Sequence, residues 1–75
     1  MEELILFIAR QLVDHPEAVQ VRQTRGPKGL VYRLSVSPKD KGKIIGKDGR
    51  IIAAIRDILE AAAARQGREV TLEVV

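Results

Sequence analysis

Apolar residues recur along this chain at two different periods, and the switches between them divide it into elements. From residue 2 to 14, Leu4, Ile5, Ile8 and Leu12 repeat at helical spacing, while Leu6, Phe7 and Val13 widen the apolar face beyond one stripe. Glu2 and Glu3 suit the positive end of that helix's dipole, and Pro16 stops it by disfavouring helical geometry at His15. The period then becomes two. Ala18 to Gln23 alternates through Val19 and Val21, and Leu30 to Val36 places Leu30, Tyr32, Leu34 and Val36 on one face. Arg25-Gly26-Pro27-Lys28-Gly29 between these runs is a turn signal, so they predict a hairpin.

Pro38 ends the second strand. A short helix is predicted from Asp40 to Ile45, with Asp40 near its N-cap. After Gly46-Lys47-Asp48-Gly49 comes the longest element, a helix from Arg50 to Gln66. Its expected buried stripe is Ile51, Ile52, Ile55, Ile58, Leu59 and Ala62, and Gly67 is placed to cap its end. A third strand, Glu69 to Val75, alternates Val70, Leu72 and Val74 with Thr71 and Glu73. The order is helix, strand, strand, helix, helix, strand. A two-helix crossover makes the second and third strands parallel. The expected fold is α+β: a three-stranded mixed sheet with three helices on one face, in a single domain over residues 1–75. The chain starts at Met1 and ends on its last predicted strand, as a complete gene product would.

Composition narrows the function classes. Seventy-five residues with 45% apolar content fill one small core. With no cysteine, a disulfide framework and a thiolate zinc site are both excluded. There is one histidine, and no nucleophile–base set or carboxylate pair stands out, so neither an enzyme nor a cofactor or metal is expected. The apolar run Leu4 to Ala9 is too short to span a membrane and follows two glutamates, unlike a signal peptide. These features predict a soluble, cytoplasmic protein.

Net charge is +3, and its location is more informative than its size. Between Lys39 and Arg50, five basic residues (Lys39, Lys41, Lys43, Lys47 and Arg50) face two acidic ones, Asp40 and Asp48; outside that segment eight of each sign cancel. The whole positive excess therefore lies on and beside the glycine loop, the electrostatic footprint of a polyanion partner. A glycine turn between apolar segments admits close backbone approach. A helix starting after it points free N–H groups at an anion.

Two nucleotide-binding patterns fail. Gly42 and Gly46 are separated by three residues, one short of a P-loop, and Asp48 stands where that motif needs a hydroxyl for magnesium. Stacking of bases on an aromatic sheet fails too, because Phe7 and Tyr32 are the only aromatics and Tyr32 shares the predicted core face.

What remains is helix, Gly-x-x-Gly, helix. The run Gly42-Lys43-Ile44-Ile45-Gly46-Lys47-Asp48-Gly49-Arg50-Ile51-Ile52-Ala53-Ala54-Ile55-Arg56 resembles the signature of K-homology (KH) domains. The helix and strand ahead of the βααβ core resemble the type II, bacterial arrangement. The short chain, with Leu12-Val13-Asp14-His15-Pro16-Glu17, resembles the small single-KH proteins of the KhpA family.

The resemblance implies a clamp on about four single-stranded nucleotides. Gly46 and Gly49 would admit phosphates, Lys47 would supply charge with Lys43 and Arg50 nearby, and Ile44, Ile45, Ile52 and Ile55 would wall a groove for bases. Third-strand groups would read base edges. Ile45, Ile52 and Ile55 serve core packing equally well. Arg56 is placed either to reach a phosphate or on a solvated helix face, and Asp48 either contacts ligand or caps the following helix. Preference for RNA over single-stranded DNA comes from the resemblance alone. So do a role in RNA regulation, as an RNA chaperone, and in cell shape, division and cell-wall elongation. A homodimer, or a heterodimer with the larger KH-containing protein KhpB (Jag or EloR), is also implied, with the apolar first helix as candidate surface.

Overall fold

The hairpin sets the register from which the sheet is built. In the computed structural model, which describes residues 1–75, β1 (Gln20–Gly26) and β2 (Gly29–Ser35) pair antiparallel from Gln20↔Ser35 to Gly26↔Gly29. The turn is therefore Pro27-Lys28 alone, tighter than the predicted five-residue loop. β3 (Val70–Val74) lies parallel to β2 on its other side, from Leu30↔Val70 to Leu34↔Val74, giving the order β1-β2-β3. With α1 (Glu2–Leu12), α2 (Lys41–Ile45) and α3 (Arg50–Arg65), the element order and the α+β mixed-sheet fold are as predicted.

One face of the sheet makes the core. Tyr32 and Leu34 of β2 and Leu72 of β3 cluster with Ile5 and Ala9 of α1, Ile44 of α2, and Ile52, Ile55 and Leu59 of α3. Residues of opposite parity on the strands point away from the helices, as a period of two requires. There Arg33 is ion-paired with Glu73 at 3.2 Å. No helix is long and apolar enough to cross a membrane.

Three boundaries or faces differ from the sequence reading, each for a local reason. α1 ends at Leu12, two residues early, with Val13 extended at φ −101°, ψ 160°. The chain leaves the helix there because the Asp14 and His15 amides donate to the Asp40 carboxylate, at 3.3 and 3.0 Å. A 3₁₀ turn, Pro16–Ala18, then delays β1 to Gln20. On α3 the buried residues are Ile52, Ile55, Leu59 and Ala63, whereas Ile58, expected inside, is 49% exposed. α3 shares that face of the sheet with α1 and α2, so it buries only a narrow stripe. Ile58, about 100° around the helix from Leu59, falls outside it.

Candidate nucleic-acid interface

α2, the glycine turn and α3 form one continuous feature, fixed from below. Ile44, the fourth residue of α2, is completely buried, so it anchors the segment and cannot line a groove as expected. The chain then reverses. Gly46 adopts φ 76°, ψ 172°, Asp48 φ 57°, ψ 24° and Gly49 φ 71°, ψ 17°. Asp48 is the only non-glycine residue with positive φ. Aspartate is among the few side chains that enter the left-handed region readily, which accounts for an acidic residue inside a basic loop. It does not cap the next helix: Gly49 is the N-cap of α3, and no side chain accepts a hydrogen bond there. The turn also uses its own amides. Gly46 N–H donates to Gly42 O, Gly49 N–H to Gly46 O and Arg50 N–H to Lys47 O.

The cations divide into free and committed. Lys47 and Arg50 are exposed at the turn and form no ion pair. Lys43 is turned away, onto the carboxylate of Asp14, and lies 3.7 Å from Asp40 Oδ1. That hydrogen bond holds the Asp14 carboxyl below its usual 3.8 and raises Lys43 above its usual 10.5. Both groups stay charged between those values, so the pair is insensitive to pH near neutrality. In space, then, Asp14 joins the basic segment and cancels part of the excess counted along the sequence.

Asp40 is the residue whose role sequence reasoning mistook. It stands at the N-cap of α2, as predicted, but its side chain makes no capping bond. Only 1% exposed, it is the one buried charged residue and accepts the Asp14 and His15 amides instead. Partners 25 and 26 residues away left no local signal.

Beyond the turn, the space between α3 and β3 is where bases were expected. Its aliphatic wall is thinner than predicted: Ile52 and Ile55 are 6% and 4% exposed, and only Ile45, at 39%, presents substantial surface. Arg56 lies on an exposed face of α3, as one of its two readings expects, but its guanidinium is engaged. Its Nε and Nη2 donate to the carbonyl of Leu72 at 3.3 and 3.2 Å, bridging α3 to β3. β3 is an edge strand, and Leu30 N–H donates to Glu69 O while Val75 N–H donates to Leu34 O. By the alternation of a parallel ladder, the backbone groups of Val70, Leu72 and Val74 point away from β2 to the free edge. Arg56 has three further N–H donors to present beside them.

Comparison with known proteins shows the family. The family described as KhpA/KhpB, KH domain, matches residues 2–74. The "RNA-binding protein KhpA" of Clostridium perfringens is 45% identical over 75 residues, covering all of both chains. Those of Listeria monocytogenes and Chlamydia pneumoniae are 45% and 44% identical over all of this chain and 99% and 96% of theirs. No solved structure matches significantly.

Proposed function

Since this chain belongs to the KhpA/KhpB KH-domain family, we propose that it is a non-catalytic, cytoplasmic single-stranded RNA-binding protein, a single domain that acts as an RNA chaperone or post-transcriptional regulator. The observation that carries this is the pair of unpaired cations, Lys47 and Arg50, on a glycine turn that opens directly into α3. Phosphates held there leave the bases facing Ile45 and the Arg56–Leu72 bridge. No group of three or more metal-ligating side chains gathers anywhere in the fold. The names carried by the relatives favour RNA over DNA.

Lys47→Asp tests this reading. The side chain is exposed, so the fold should persist while affinity for short single-stranded RNA drops roughly tenfold or more, tenfold being about 1.4 kcal/mol. With about two to four phosphates engaged, the wild-type log K should fall with log salt at a slope of about −1.4 to −2.8. Unchanged affinity in the variant, or a flat salt response, refutes the loop as the contact surface.

A second reading is supported by Phe7, 63% exposed on α1, and by Ile58 on α3. These apolar side chains suit pairing with a second copy or with a KhpB (Jag/EloR) partner, in control of division and elongation. Sedimentation over a range of concentrations should show a rising mass that Phe7→Ser reduces; a constant monomer mass removes the homodimer.

A further inference from the structure

The largest cleft in the protein is at the opposite end from the glycine turn, and its lining is cationic. It encloses about 580 Å³ between the β1–β2 turn and the α3–β3 connection. Arg25, Lys28 and Arg68 border it against one carboxylate, Glu69, and none of the three cations is ion-paired. Glu2 and Glu3 border a neighbouring cleft, which Arg68 shares but Arg25 and Lys28 do not. We propose that this cleft is a second phosphate-binding site, by which the protein grips an RNA strand longer than the stretch held at the glycine turn. The proposal rests on the RNA-binding reading above.

Two observations make it more than a chance gathering of surface charge. The first is that its two loops are fixed to each other. Leu30 N–H donates to Glu69 O at 3.2 Å, and a Cβ at Gly29 would collide with that same carbonyl. The second is continuity with the first site. Lys28, Arg68 and Glu69 also border a furrow with Glu60, Val70 and Thr71, and the latter three border the next furrow, which ends at Arg56 and Leu72. A trough therefore follows the free edge of β3 along α3. That helix is about 24 Å long at 1.5 Å per residue, most of the molecule's 34 Å long axis. Glu60 makes the middle of the trough unfavourable for phosphate, whereas both ends carry free cations. A strand of about four nucleotides, the length a KH loop clamps, engages one end only.

The test compares an RNA of about four nucleotides, the loop-length ligand, with one about three times as long. Lys28→Gln with Arg68→Gln alters two exposed side chains and should leave the fold intact. We expect the longer RNA to bind wild-type protein more tightly. In the double variant its affinity should fall roughly tenfold, as for two lost surface charge contacts. Its salt slope should flatten by about 1.4, the equivalent of two phosphates. Binding of the short RNA should not change. If the longer RNA keeps its affinity and slope in the double variant while Lys47→Asp still weakens binding roughly tenfold or more, the second site is wrong and the loop reading stands. Equal losses on both lengths also overturn the second site, because the substitutions then act through the loop. If neither RNA binds the wild-type protein, both readings fall.

Discussion

Gly46→Ala should lower the unfolding temperature on the order of 10–30 °C, whereas Gly49→Ala should cost far less. At Gly46 the backbone sits at φ 76°, ψ 172°, a region reserved for glycine, and a Cβ there would lie 2.5 Å from Ile51 Cγ1 and 2.9 Å from Ile51 Cβ. Ile51 can rotate its outer atoms away but not its Cβ. Backbone strain of about 1–3 kcal/mol and overpacking of about 1–3 kcal/mol combine to about 2–6 kcal/mol. For a chain of this length, total stability on the order of 4–11 kcal/mol is usual, so that is a large share. Gly49 has the same sign of φ, but its nearest neighbour, Ile52 Cγ2, is 3.9 Å from a built Cβ. Only the left-handed penalty of about 1–2 kcal/mol applies there. Thermal unfolding by circular dichroism separates the two. Equal midpoints would show that Ile51 yields and that steric crowding under the turn is not what demands glycine.

Asp40→Ala is expected to destabilise by about 2–4 kcal/mol, because removing a buried acceptor leaves the Asp14 and His15 amides without their partner. In urea the midpoint should move down on the order of 1–2 M with an unchanged slope. Asp40→Asn keeps one amide-accepting oxygen and should fall between wild type and alanine. The effect should reach RNA binding as well, since Asp40 sits at the start of α2 and its carboxylate ties the chain after α1 to the segment leading into the glycine turn. An alanine variant as stable as wild type would mean that water replaces the carboxylate at no cost.

These two positions show what the sequence could and could not convey. Gly46 was legible because its constraint is local: a turn between apolar runs needs a residue without a side chain, whatever surrounds it. The strand alternation of Leu30 to Val36 and the crossover through two helices were legible for the same reason, and the parallel β2–β3 pairing follows from them. Asp40 was misread because a carboxylate at a helix start looks like a cap, and nothing nearby reveals that its donors lie on another element. Ile58 was misread because apolar periodicity marks a candidate face without giving its width. The charge excess was read along the chain, whereas Asp14 reaches Lys43 across 29 residues. Arg56 had two open readings; it lies on the exposed helix face, and its bond to the Leu72 carbonyl is one that no pattern within α3 could announce.

That guanidinium has a consequence for solubility. A strand edge with unpaired carbonyls and amides is a template for a strand of another molecule, and natural proteins protect such edges with charge. β3 is short, apolar at Val70, Leu72 and Val74, and uncovered on one side. Arg56 places a permanent positive charge on its central carbonyl, and so guards against edge-to-edge aggregation. Any nucleic acid that displaces Arg56 to read that carbonyl must take over its protective role for as long as it stays bound.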